Sequence, residues 1–159
     1  MKRFFIIGLL GSCLAVNLFG LNLTVDNQLK NRTIGVRFCD EKNHCKNLSI
    51  AENTQKKDSV KGGYLANFQI IPQGIGGPVY GAVDTKPTMV FSGIHKSSDK
   101  TGSSFYLVVN KIDVEYLPGW VDDRGTQNWI IHYKLYSGDK VEEKNLIQQG
   151  ETKARAEFY

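Results

Sequence analysis

Apolar and polar residues alternate along most of this chain, and a period of two constrains it to sheets. Successive side chains of a strand point to opposite faces, so an alternating run marks a half-buried strand; a helix would repeat its apolar residues every three or four positions. Leu21, Leu23 and Val25 alternate with Asn22 and Thr24, and Ile34, Val36 and Phe38 do the same around Gly35 and Arg37. Leu48 and Ile50 resume the pattern, Ala66, Phe68 and Ile70 give another inward face, and short apolar runs follow at 79–83 and 88–94. The longest candidate, 105–116, sets Tyr106, Val108, Ile112, Val114 and Tyr116 on one side, interrupted at Asn110, with Phe105, Leu107 and Val109 on the other. Trp129, Ile131, Tyr133 and Leu135 mark a further strand and 141–147 the last, while 150–159 fits a strand or a short helix.

Between these runs lie turn signals. Residues 56–63 are polar and end in Gly62-Gly63, so they read as a loop, as does 95–104. Gln73-Gly74-Ile75-Gly76-Gly77-Pro78 is a stronger break, because several residues free to take positive φ precede a proline. Eight or nine short strands separated in this way predict an all-β fold, a single antiparallel β-sandwich or a small closed β-barrel. A sandwich must protect its edges from further pairing, and Lys111, Lys134 and Lys144 are candidates for that role.

The first twenty residues have the layout of an export signal rather than of structure. Lys2 and Arg3 form a basic start, an apolar run covers 4–10, and small residues follow toward Gly20. Ser12 and Asn17 interrupt a stretch already short for a membrane span, which needs about 20 apolar residues. The expected organisation is a signal peptide at 1–20 and one β domain at 21–159, secreted or periplasmic. Cleavage after Gly20 or after Ala15 both fit, and a lipid anchor on Cys13 is the less favoured alternative.

Without the signal the chain carries 18 basic and 16 acidic residues, interspersed along its length. No basic stripe suggests nucleic acid as a partner. Cys39 and Cys45 are the two cysteines of the predicted mature chain, and five polar residues separate them. In an oxidising compartment they pair across the neck of a β-hairpin. A metal site would need more than Cys39, Cys45 and His44, and neither His95 nor His132 stands at ligand spacing.

No catalytic or cofactor motif stands out. There is no Gly-x-Ser-x-Gly elbow, and Gly74–Gly77 lacks the Lys-Ser or Lys-Thr pair and the helix of a phosphate loop. Asp122-Asp123-Arg124-Gly125 offers two carboxylates but reads as an ordinary turn. The informative cluster is aromatic: Tyr116, Trp120, Trp129, Tyr133 and Tyr136 fall within 21 residues. Trp129 and Tyr133 read as core, whereas Trp120 lies in the turn-rich Leu117-Pro118-Gly119-Trp120, where a large ring resists complete burial. Asn128-Trp129 before a tyrosine-bearing strand resembles actinoporin-like cytolysins over a short stretch. The amphipathic N-terminal helix of such pore formers is missing here.

These features predict an exported, non-catalytic binding protein that contacts a glycan, a membrane surface or a protein through Trp120, Tyr116, Tyr136, Asp122 and Asp123. A lipocalin-like barrel carrying a small apolar molecule is the alternative, with a membrane-active toxin or a small hydrolase behind it. No cofactor is indicated.

Overall fold

The computed structural model describes residues 20–73, 88–91, 94–117 and 126–157. Within them lie ten strands: β1 (Leu21–Asn27), β2 (Ile34–Asp40), β3 (Cys45–Ile50), β4 (Thr54–Val60), β5 (Leu65–Pro72), β6 (Thr88–Phe91), β7 (His95–Lys96), β8 (Ser104–Leu117), β9 (Thr126–Ser137) and β10 (Leu146–Glu157). No α-helix occurs among the described residues, and none is long and apolar enough to cross a membrane; a single 3₁₀ turn, Glu143–Asn145, precedes β10. The protein is all-β, as the alternation predicts.

Six strands form one sheet in the order β4-β1-β8-β9-β10-β6, and four form a second in the order β3-β2-β5-β7. Both draw on one hydrophobic core. Leu21, Leu23 and Val25 of β1, Phe105, Leu107 and Val109 of β8, and Ile131, Tyr133 and Leu135 of β9 meet Val36 and Phe38 of β2 and Phe68 and Ile70 of β5 there. The residues between them on each strand face outward, which is why the pattern reads so clearly from sequence.

The pairing is mostly antiparallel, with one departure from the sequence reading: β1 and β8 run parallel, with Leu23 opposite Phe105. Parallel neighbours need a long connection, and here four strands of the second sheet and the two edge strands supply it. Residues 56–63 also depart from expectation. Most of the segment is β4, paired antiparallel to β1 from Thr54 to Val60, and only its end is a turn. Its polarity misled because an edge strand needs no apolar face; Gln55, Lys56 and Lys57 are all exposed. The edge lysines therefore differ from those expected: Lys56 and Lys57 lie on β4 and Lys46 on β3, whereas Lys111 and Lys134 sit on the interior strands β8 and β9, and Lys144 in the 3₁₀ turn.

Two further boundaries move, and of the two readings of the tail the strand is the one observed. His95 and Lys96 make a two-residue strand instead of opening a loop, β10 begins at Leu146 rather than at 141, and it continues as a strand to Glu157. The faces of β8 are also rearranged. Phe105, Leu107 and Val109 point into the core, and the register shift between Val109 and Lys111 inserts one extra residue at Asn110. Beyond that bulge the even-numbered residues turn inward, so Ile112 faces Ile131 whereas Tyr106 lies on the outer side, bonded to Gln55. The polar asparagine breaking the apolar run is the sequence trace of that bulge.

Cys39 and Cys45 form the last pair of β2 and β3 and are joined by a disulfide, as expected. Inside the loop they close, the wholly buried Asp40 carboxylate accepts hydrogen bonds from the Lys42 and His44 amides, each at 2.8 Å, and contacts His44 Nδ1 at 2.7 Å. Burial pushes this carboxyl up, but the His44 amide and ring and the Lys42 amide outweigh it and hold the pKa below the usual carboxylate value.

Candidate functional site

The β8–β9 hairpin carries most of the aromatic cluster, and its geometry sorts those residues by depth. Val114 pairs with Trp129, Tyr116 with Gln127 and Leu117 with Thr126. Directly opposed residues share a face, so the inward stripe of β8 runs from Val109 through Ile112 and Val114 to Tyr116. Along it burial fades: Val109 is enclosed, Ile112 is half-buried, and Val114 and Tyr116 are 46% and 43% exposed. Leu117, on the opposite face, is 44% exposed.

On β9 the same level is covered. Trp129 is buried, with the Arg32 guanidinium carbon 4.7 Å above its ring and its Nε1 donating to Gln127 Oε1 at 3.2 Å. Arg32 is held in the turn between β1 and β2, where the buried Asn27 side chain donates to the Arg32 carbonyl at 2.7 Å. Ala154 and Thr152 of β10 complete the floor, both buried. Trp129 and Tyr133 are therefore packed residues, as their alternation predicts.

The four strands lie side by side at this level. Leu117 pairs with Thr126, Thr126 with Glu157, and Glu157 with Thr88, so β8, β9, β10 and β6 stand in a row at the last described residues of each. Trp120, Asp122 and Asp123 belong to residues 118–125, outside the described residues, as does the glycine segment Gly74–Gly77. Tyr116 precedes residues 118–125 with only Leu117 between. Tyr136 does not join it: the residue lies at the other end of β9, opposite Tyr106 and Leu146, and is only 2% exposed. Val114 and Leu117 were missed by the sequence reading, because a strand pattern records which face a residue takes but not how much cover that face receives.

Charged residues line the outer face behind the hairpin. Asp113 accepts Lys111 Nζ at 2.8 Å and lies 2.8 Å from His132 Nε2, and His132 Nδ1 lies 3.5 Å from Glu151. The bond from Lys111, then that with His132, holds the Asp113 carboxyl below its usual range. A shallow groove of about 560 Å³ runs over Asn110, Lys111, His132 and Lys134. Among the described residues no group of three or more His, Cys, Asp or Glu is arranged to hold a metal ion. His95 Nε2 and Thr152 Oγ1 form a hydroxyl–imidazole pair at 2.6 Å, yet Thr152 is 1% exposed and so is closed to a substrate.

Comparison of the chain with protein-family models, curated proteins and solved structures returns no match.

Proposed function

We propose that this protein is an exported β-sandwich that works by binding, and that the exposed residues Val114, Tyr116 and Leu117 of β8 enter an apolar interface, with a membrane surface as the first candidate. The observation that carries this reading is the clustering of Val114, Tyr116 and Leu117. They are three of the five large hydrophobic side chains exposed among the described residues, and they fall within four positions. Isolated exposed apolar residues are ordinary, whereas a contiguous group marks a contact site.

The distribution over two faces favours an end-on contact. Tyr116 and Leu117 are consecutive on a strand and point to opposite sides of the sheet, so a flat partner covering one side leaves the other wet. An end that enters an interfacial layer covers both, and a tyrosine suits the boundary between apolar and polar surroundings. Trp120 follows Leu117 by three residues and adds a second ring of the type that settles at lipid headgroups. A protein pocket is the second candidate, supported by the alternating charges of Lys111, Asp113 and Glu115 along the same strand.

The sandwich, in preference to a barrel enclosing a ligand, draws support from the strand orders. Among the described residues each sheet has its own pair of edge strands, β4 and β6 in one and β3 and β7 in the other, and large side chains including Phe38, Phe68 and Phe105 fill the space between. Export draws support from the basic-then-apolar start and from the disulfide. The test is co-sedimentation of the mature chain with phosphatidylcholine vesicles, comparing the wild type with Val114→Ser/Tyr116→Ser/Leu117→Ser. Binding lost in the variant while its folded signal persists supports the reading; equal binding by both chains removes these residues from it.

A further inference from the structure

His95 occupies an unusual place for an ionisable residue. It lies on β7, a two-residue edge strand attached to the four-stranded sheet through Asn67 and Phe68 of β5. Its ring, however, reaches across the core to the other sheet. Nε2 is 2.6 Å from Thr152 Oγ1 on β10, and Nδ1 is 3.3 Å from Tyr133 Oη on β9. Tyr133 Oη also accepts a bond from Gln148 Nε2 at 2.9 Å. The imidazole packs between two rings, with centroids 5.3 Å from Phe68 and 4.8 Å from Tyr133. One side chain thus ties a short edge strand to both sheets.

We propose that His95 is an acid-operated clasp between the two sheets: its neutral ring holds β7 in place, and protonation releases β7 and uncovers the edge of β5 and the face of Phe68. The surroundings supply the reason. A cation placed here meets no carboxylate, since the histidine ion pairs among the described residues are those of His44 and His132. From β5 the ring faces Phe68; from β9, the Tyr133 phenol; from β10, Thr152 and Gln148. His132, Lys134, Glu151 and Lys153 lie on the opposite face of β9 and β10. Asp99, in the loop after β7, turns its carboxylate to the Thr101 and Gly102 amides and the Ser137 hydroxyl.

The hydrogen bonds also favour the neutral ring. Neutral imidazole donates from one nitrogen and accepts at the other, and the two hydroxyls satisfy both roles in either tautomer. The doubly protonated ring only donates, so a hydroxyl that donates to it must find another acceptor. Consistent with this setting, burial pushes the His95 pKa below its ordinary value of 6.5. By linkage the closed form is favoured fully above that value, and acid drives opening as the pH falls below it, about tenfold for each unit separating the closed and open pKa values.

Resistance of β7 itself is modest. Its next anchor is the Ser97 amide, which donates to the Ala66 carbonyl at 3.1 Å, and that amide is the natural reporter. The experiment follows the His95 ring by NMR titration and the exchange of the Ser97 amide, corrected for intrinsic rate, at pH 7.5 and pH 5.0. Expected is a His95 titration below 6.5 and at least a several-fold loss of Ser97 protection at the lower pH, absent in His95→Gln. A His95 pKa at or above 6.5, or an equal acid-dependent loss in His95→Gln, overturns the proposal. Should that variant fail to fold, the wild-type titration and Ser97 exchange decide alone, and unchanged protection across the His95 titration is then the refuting result.

Discussion

Gly62→Ala tests how the disulfide loop is built into the fold. A methyl group on Gly62 overlaps Cβ, Cγ and Oδ2 of Asp40. These atoms cannot step aside: Cβ is fixed to β2 beside the Cys39–Cys45 disulfide, and the two carboxylate oxygens are committed to the Lys42 amide, the His44 amide and the His44 ring. The cheaper escape is for the turn at 61–64 to lift. That movement breaks the Gly62 amide's bond to the Val60 carbonyl at 3.0 Å and pulls Gly63 and Tyr64 away from Glu41, which accepts both their amides at 3.1 Å. Overpacking of this kind costs about 1–3 kcal/mol, which moves the melting temperature down by roughly 3–10 °C for a domain of this size. Urea unfolding followed by tryptophan emission measures the loss, with Gly63→Ala as the control. There the added methyl meets only the far end of Glu41, at 3.2 Å, and the expected cost is well under that of Gly62→Ala. If the turn lifts, Glu41→Gln adds little in the Gly62→Ala background, so the two losses sum to less than independent effects. Stability of Gly62→Ala within about 0.5 kcal/mol of wild type refutes the reasoning, since surface changes without a clash fall in that range.

Other outcomes follow from the same contacts. Tyr133→Phe leaves the ring in the core but removes a partner from His95 and Gln148, and chemical denaturation should show a loss of about 1–2 kcal/mol. Reduction of Cys39–Cys45, a bridge with a sequence separation of 6, should cost about 2–3 kcal/mol, read as a lower urea midpoint after alkylation. Because Asp40 titrates below its ordinary value of 3.8 when folded, its contribution is complete above that value and is lost as the pH falls beneath it; acid titration of stability should show a shallower limb in Asp40→Asn.

What the sequence reveals and what it hides follow from the same physics. Alternation exposes strands such as β1, β2 and β9, where one face is core, and it recovers Trp129 and Tyr133 as packed residues. It is silent on β4, whose membership of the sheet rests on backbone pairing with β1 while Gln55 and the lysines beside it stay in water. It misassigns the faces of β8 because one bulge residue, Asn110, reverses the phase of everything after it. Long-range relations are hidden altogether: the parallel β1–β8 pair, the reach of His95 into the other sheet, and the point along β8 where cover for the stripe gives out at Val114. Of the expected contact residues, Tyr116 is exposed near the end of β8 and Tyr136 is enclosed at the far end of β9.

The most direct test of binding through Val114, Tyr116 and Leu117 is vesicle co-sedimentation with tryptophan emission recorded on the same samples. The mature wild-type chain should sediment with phosphatidylcholine vesicles and shift its emission to the blue. Replacing Val114, Tyr116 and Leu117 with serine removes roughly 2–3 kcal/mol of apolar transfer, about 30- to 150-fold in affinity. Trp120→Ala should remove the blue shift. Wild-type protein that stays in the supernatant with unshifted emission contradicts the membrane reading, and equal sedimentation of the triple variant contradicts the site.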